Sequence, residues 1–353
     1  MNIFTLKASR NILLILACFS HSTFANTPAE MADLSLQELF ALSTDEMDEK
    51  TFNHWQINFL YKRSNVDRYL DGSSKVSKQD VLFDGVEART NKNFPILPTV
   101  ISQEVYIGNI SYFLSPEKSI SVSIPYIIQS TDHDSIVPDY DHFNISSDGL
   151  GDITLNYSAL LSSWKNKKIT FSAGISVPSG SIDEKGDTPR AAGDQQLPYT
   201  MQLGSGTWDF PLGLSYSQDK KSYSWGANIF TKFNTGKNDR NYRLGNRIAL
   251  SVWKKWYLNS TVHPFAKIVY QNWGRIIGQD NDLLISNPSF PYPAGITNPK
   301  FYGGKKINLV TGGDIFLGSQ KLSIEIGVPV YQNLNGVQPK ENLHFSLSWN
   351  TQL

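Results

Sequence analysis

From residue 52 onward the chain alternates apolar and polar positions with a period of two, the signature of strands with one apolar face. Ile120, Val122, Ile124, Tyr126 and Ile128 alternate with Ser119, Ser121 and Ser123. Ile153, Leu155, Tyr157, Ala159 and Leu161 alternate with Asp152, Thr154, Asn156 and Ser158. The same parity recurs through Leu322, Ile324, Ile326, Val328 and Val330 and closes with Leu343, Phe345, Leu347, Trp349 and Leu353. Twelve strands are predicted, at 54–63, 100–114, 118–129, 151–163, 167–177, 205–216, 222–233, 241–253, 258–273, 305–317, 321–331 and 341–353. Val100 to Leu114 has no clean parity, and a bulge near Gly108 is the expected reason. Val81 to Arg89 is strand-like but would break the even count, so it is placed in the first long loop.

The connections are of two kinds. Tight turns such as Ser115-Pro116-Glu117, Lys254-Lys255 and Gly318-Ser319-Gln320 alternate strictly with longer segments at 64–99, 130–150, 178–204, 234–240, 274–304 and 332–340. A soluble sandwich also alternates in and out. These strands, however, run to about 10 residues or more, the length needed to cross a bilayer. Long and short connections at opposite ends are the pattern of outer-membrane barrels. Trp164, Tyr223, Trp225, Trp253, Trp256 and Tyr257 lie beside the tight turns, as an interfacial aromatic girdle would. Lipid leaves no backbone group satisfied, so a sheet in a membrane must close. The expected fold is therefore all-β, a closed antiparallel transmembrane β-barrel of about 12 strands, residues 52–353, with both termini periplasmic. The apolar alternation of the last strand resembles the C-terminal signal read by outer-membrane insertion machinery, with Leu353 in place of the usual aromatic residue.

Before the barrel lie two short segments. Lys7 and Arg10 precede the apolar run Ile12 to Phe19, and Thr23-Phe24-Ala25 is a small-x-small site, so residues 1–25 read as a signal peptide cleaved after Ala25. A lipoprotein reading at Cys18 would leave too short an apolar region. Cleavage removes Cys18, the only cysteine, so neither disulfide nor thiol chemistry is expected in the exported chain. Residues 26–51 form a polar segment in which Ser35-Leu36-Gln37-Glu38 reads as a capping box opening a short periplasmic helix. Its alternative role is a plug or docking helix.

Composition narrows the function. Lys+Arg and Asp+Glu number 32 each among 353 residues, so the basic excess of a nucleic-acid binder is missing. Charged residues are 18% and aromatics 12%, which suits a β protein with one apolar solvent. Lipid-facing Lys or Arg would cost about 2–4 kcal/mol at the midplane, so Asp152, Asp209, Lys232, Arg243, Arg247, His263, Lys267, Asp314, Glu325 and His344 are expected to face the lumen. They read either as an ion-pair lattice that braces the barrel or as a lining that selects solutes. Arg243 and Arg247 are expected to share one strand face with Lys232 and Lys267 on neighbouring strands, giving a basic wall flanked by acids.

Three blocks carry a family resemblance. Gly149-Leu150-Gly151-Asp152-Ile153-Thr154-Leu155-Asn156-Tyr157 is the first. Met201-Gln202-Leu203-Gly204-Ser205-Gly206-Thr207-Trp208-Asp209-Phe210 is the second, and Gly327 to Gln338 is the third. Together they resemble outer-membrane "transporter" barrels grouped as phenol-degradation meta-pathway proteins, from about residue 149 to the C-terminus. The resemblance implies an outer-membrane location and passage or binding of small molecules, with aromatic or hydrophobic compounds suggested by the family name.

Other chemistry is sparse. His133 and His142 stand among Asp132, Asp134, Asp139 and Asp141, a set that reads as a solvated acidic loop more readily than as a cation site. The 274–304 connection carries Pro288, Pro291, Pro293 and Pro299 with Phe290, Tyr292 and Phe301, either a lid or an ordered loop. His344 and Ser346, two apart on the last strand, are the one pair with nucleophile-and-base types, and nothing around them supplies a third group. The expectation is no enzyme, no cofactor and no metal. The expected partners are outer-membrane lipid, insertion machinery and an unspecified solute. The alternatives are a phospholipase-type barrel and a structural barrel with a plugged lumen.

Overall fold

The computed structural model describes residues 54–353. The signal peptide and the 26–51 segment lie outside the described residues. The chain forms β1 (Trp55–Gly72), β2 (Ser74–Val76), a one-turn helix α1 (Lys78–Val81), β3 (Ile96–Ser115), β4 (Lys118–Ser135) and β5 (His142–Leu150). Next come β6 (Ile153–Trp164), β7 (Lys167–Val177), β8 (Lys185–Asp187), β9 (Asp194–Gln196), β10 (Asp209–Asp219), β11 (Tyr223–Asn234) and β12 (Tyr242–Arg243). The last are β13 (Arg247–Trp256), β14 (Val262–Trp273), β15 (Ile277–Gly278), β16 (Gly304–Leu317) and β17 (Gln320–Gln352).

The ring runs β17-β16-β14-β13-β11-β10-β7-β6-β4-β3-β1 and closes through antiparallel pairing of β1 with β17. Among the described residues it is thus made of eleven strand elements, one fewer than expected. An odd number of antiparallel elements closes only if one of them reverses direction, and β17 does so. Its residues up to Leu334 pair with β16, and its residues from Leu334 onward pair with β1. Gly336, at φ +78°, lies where the two limbs meet. The two strands expected at 321–331 and 341–353 are these limbs of one element.

The apolar parity faces out. Ile120, Val122, Ile124, Leu155, Leu250, Ile268 and Val328 are exposed, whereas Ser119, Ser123, Thr154, Asn156 and Ser251 on the alternate parity are buried. That is inside-out for a water-soluble protein and right for one solvated by lipid on its outer face. Trp55, Trp164, Trp225 and Trp256 are exposed beside the tight turns, and Lys254 lies over the Tyr223 and Trp256 rings. Trp253, expected in this girdle, takes the inward parity instead. It packs over Gly226, where a Cβ would come within 2.7 Å of the indole.

Several strands outrun their expected limits. β1 continues to Gly72, and β4 with β5 forms a hairpin through the segment expected as the 130–150 loop. Asp132 and Asp134 therefore stand on a strand. Asp132 accepts from Asn144 and Asp134 pairs with His142, while buried His133 stacks on Phe143 at 4.5 Å. Past the bilayer, polar side chains on both faces do not oppose a strand, so composition does not mark its end. Val81 to Arg89 is not a strand. Ser77 caps α1 and exchanges bonds with Asp80 in a capping box.

No register shift occurs at Gly108, which pairs in sequence with Ile124; the shifts in β3 lie at Pro98/Val100 and Phe113/Ser115. The mixed parity has another cause: Ile101, Val105 and Ile107 are apolar and buried on the inward face.

These assignments predict a depth-dependent cost for charge on the outer face. Leu250→Arg, in the middle of β13, should lower unfolding free energy by about 2–4 kcal/mol. Leu258→Arg, in the tight turn after Trp256, should cost at most about 1 kcal/mol. Urea titration of the protein folded in lipid vesicles reads both, and equal costs would contradict the outward orientation of β13.

Candidate functional site: the obstructed lumen

Asp152 sits at the break between β5 and β6. It is buried, and its carboxylate has three donors. Oδ1 accepts from the Gly180 N–H at 3.0 Å, and Oδ2 accepts from the Ser205 N–H at 2.8 Å and the Ser205 hydroxyl at 2.7 Å. Both donors belong to the long connection between β7 and β10. The carboxylate thus pins two separated points of one loop to the barrel wall. The two points also touch each other. A Cβ at Gly204 would lie 2.3 Å from the Gly180 carbonyl oxygen, and a Cβ at Gly180 would lie 2.7 Å from the Gly204 Cα. Gly206, at φ +67°, turns the chain back toward β10.

Pinned in this way, the loop sends Leu203 into the barrel. Leu203 joins a buried apolar cluster with Leu60, Val105, Ile107, Ile127, Phe230 and Ala249. The wall members come from β1, β3 and β4 on one side of the ring and from β11 and β13 on the other. The lumen is therefore crossed by packed side chains at this level. Met201 is buried beside it, with its carbonyl accepting from Ser147 Oγ at 2.7 Å and its sulfur 3.3 Å from Thr131 Oγ1. The first two blocks singled out in the sequence meet here: the Gly149–Asp152 block holds the Met201–Thr207 block.

Around the apolar cluster the inward charges are paired. Lys232 Nζ lies 3.2 Å from Asp209 Oδ2, both buried, and Thr207 Oγ1 donates to Asp209 Oδ1 at 2.6 Å. Lys306 pairs with Glu341, which also holds His344 Nδ1 at 2.8 Å. Lys267 meets Glu325 at 2.5 Å, and Lys255 meets Asp314 at 2.6 Å. Arg247 lies over the Trp273 ring, and Lys306 lies near the same ring.

The expected basic wall is therefore not formed. Lys232 faces Asp209 on the neighbouring β10, and Lys267 reaches across β16 to Glu325 on β17. Arg243 leaves the wall altogether, because residues 241–253 are not one strand. It lies on β12, paired with β15, and donates to the Asn234 carbonyl at 2.9 Å. His263, near the tight-turn end of β14, is held between the Tyr257 and Phe316 rings. The Nε2 edge of His344 lies over Gly327, where a Cβ would come within 2.1 Å. Its imidazole thus serves the Lys306–Glu341 cluster and packs on the adjoining limb of β17. Lys62, Lys255, Lys306, Lys321 and Glu341 are inward charges that the parity count left out. Lys306 opens a strand beside Lys305, and Glu341 flanks a register shift between β1 and β17, which obscured their parity, whereas Lys62 stands on the inward parity of Gln56 and Asn58 and was legible.

Above the lumen the long connections pack together. Tyr199, Tyr242, Leu244, Ile276, Leu283 and Tyr302 form a buried cluster. Arg240 ties Asp183, Asp280 and Asp282 together at 2.7, 3.2 and 3.0 Å. Burial disfavours the Arg240 cation, but the Asp183 and Asp282 carboxylates outweigh it and hold its pKa above the ordinary value. Arg89 lies over the Phe83, Phe94 and Phe290 rings and donates to the Tyr292 carbonyl.

Two outcomes follow for mutants. Lys232→Met leaves the Asp209 carboxylate buried without its cation, a loss of about 3–5 kcal/mol, whereas Lys232→Met combined with Asp209→Leu should recover most of it. Chemical unfolding of the three variants is the measurement, and an equally large loss in the double variant would contradict the pairing. Asp152→Asn weakens the hold on Gly180 and Ser205, and single-channel recordings should show higher conductance or more frequent opening. Conductance identical to that of the unaltered protein would contradict the pinning role.

No family model matches the chain, and no curated protein matches it. Among solved structures, it is similar to an outer membrane channel from Pseudomonas putida F1. The identity is 13%, the TM-score is 0.56, and the match covers 87% of this chain and 99% of that one. The translocator domain of the autotransporter NalP from Neisseria meningitidis has 10% identity and a TM-score of 0.46, covering 92% of this chain and 97% of that one. The toluene transporter TodX from Pseudomonas putida has 9% identity and a TM-score of 0.45, covering 94% and 95%. The first of these shows the fold alone: this chain shares the closed antiparallel β-barrel architecture of that protein.

Proposed function

We propose that this protein is an outer-membrane channel for small molecules whose pathway is obstructed by the loop between β7 and β10. The observation that carries this reading is the Asp152 clasp. A barrel braced for structure alone would be filled from its own walls. Here the obstruction is delivered by a loop that enters from one end, held at Gly180 and Ser205 by one carboxylate. Such an element can leave without breaking the barrel's backbone ladder.

The lining suits solutes that are partly apolar. A passing molecule meets Leu203, Val105, Ile107 and Phe230 at the level of the apolar cluster, and paired charges rather than a field of one sign elsewhere. That supports aromatic or otherwise hydrophobic small molecules over strongly charged ones at the constriction. The location we propose is the outer membrane of a diderm bacterium, reached by export on the N-terminal signal segment and insertion by the barrel-assembly machinery.

Proteoliposome swelling tests the reading. The purified barrel should raise the permeability of vesicles to small polar solutes above that of empty vesicles, and Leu203→Ala should raise it further, several-fold. Neither form exceeding empty vesicles would favour a structural barrel and overturn the channel.

A further inference from the structure

A second cavity lies away from the lumen. It is a cleft of about 520 Å³ between the connection after β11 and the connection after β14. Its walls are set by the two-residue pairing of β12 with β15, Tyr242 to Gly278 and Arg243 to Ile277. Gly278, at φ +84°, is required there, since a Cβ would lie 2.1 Å from the Asn241 carbonyl oxygen.

The cleft is chemically one-sided. Lys237, Arg275 and Lys300 line it, and among the described residues no carboxylate does. All three side chains are exposed. Of the acids nearest in sequence, Asp280 and Asp282 are turned onto Arg240, and the exposed Asp239 does not line the cleft. The acceptor of Gln279 is also occupied, because its Oε1 takes the Tyr292 hydroxyl at 3.0 Å. Cations and donors therefore dominate the polar part of the lining. The neutral amides Asn241 and Asn281 also line it, the Asn281 Oδ1 being occupied by the Gln279 amide, and Ile276, Ile277, Tyr292 and Pro299 supply an apolar, flat wall.

We propose that this cleft binds a small organic anion, a carboxylate carried on a flat apolar body, with Lys237, Arg275 and Lys300 taking the charge. A guanidinium offers a planar fork that matches a carboxylate, and two ammonium groups add charge without a fixed geometry. The apolar lining distinguishes such a ligand from an inorganic anion. The assignment deepens the channel reading, on which it rests for its biological sense: the cleft would gather an anionic solute at the mouth, before the apolar level of the lumen.

Binding and flux separate the two ideas. Titration calorimetry on the whole purified protein in detergent would use benzoate, with benzyl alcohol and inorganic phosphate as controls. Benzoate should bind and both controls should bind at least 10-fold more weakly. Arg275→Ala combined with Lys300→Ala should weaken benzoate by at least 10-fold, and raised salt should weaken it in the unaltered protein. Comparable binding of benzyl alcohol would overturn the role of the cations, and comparable binding of phosphate would overturn the role of the apolar wall. Undiminished benzoate binding in the double variant would overturn the site. These groups are exposed and remote from the barrel ladder; a Lys237→Gln single variant, expected to weaken benzoate several-fold, keeps the test open if the double variant fails to fold. Benzoate binding without vesicle permeability would leave the cleft standing and remove the channel. Permeability without benzoate binding would do the reverse.

Discussion

One buried carboxylate organises the interior. Asp152 accepts two backbone N–H groups and one hydroxyl from the loop that follows β7, and charge-assisted bonds of this kind are about twice as strong as neutral ones. Three such bonds, with the charge of Lys232, offset part of the cost of burying the carboxylate, and they exist only because the loop backbone comes close enough to supply the donors. That closeness depends on glycine at 180 and 204, where neighbouring main chains touch. The position of Leu203 follows, and with it the apolar cluster across the lumen. Carboxylate, glycines and leucine form a single device, and each part is without purpose if another is removed.

The rest of the barrel is governed by its two solvents. The outer face must be apolar because lipid cannot solvate charge, so every ionisable side chain within the spanning strands is driven inward or to the rims. The interior then collects more charge than water can reach. Pairing between adjacent strands, as in Lys232 with Asp209, and across an intervening strand, as in Lys255 on β13 with Asp314 on β16, keeps that charge tolerable. Bracing and transport thus compete for the same residues. The resolution here is that the walls are braced by ion pairs while the loop provides the obstruction. A channel gated by its walls would have to break buried pairs; a channel gated by its loop has to release one clasp.

The strands themselves were legible because the period of two is imposed by lipid on one face, and Leu155, Ile175 and Val328 stand on the side that alternation assigned them. What was not legible has a common origin. β1 and β4 extend past the membrane, where nothing constrains the outward face, so the pattern that located them could not locate their ends. Arg243 left its expected wall because Leu244 to Asn246 break the strand, and the Gly245-Asn246 pair that marks the break was outvoted by the flanking alternation. The obstruction depends on contacts between segments some fifty residues apart, as Asp152 and Ser205 are, and no local pattern encodes them. Two traces of it were present in the sequence. The Gly-rich blocks around Asp152 and Gly204 supplied the close backbone approach. The disturbed parity of Val100 to Leu114, first attributed to a bulge, was the apolar inner face that receives Leu203.

The claim at the centre of this account is that the loop after β7 is held in the lumen by Asp152. Amide hydrogen exchange on the reconstituted protein, read at Gly180 and Ser205, addresses it directly, because these two N–H groups are the ones donated to the carboxylate. The account predicts slow exchange at both, comparable to amides of the adjoining barrel strands. Exchange as fast as that of the exposed turn at Lys165 and Asn166 would show that the loop is not held, and would contradict it.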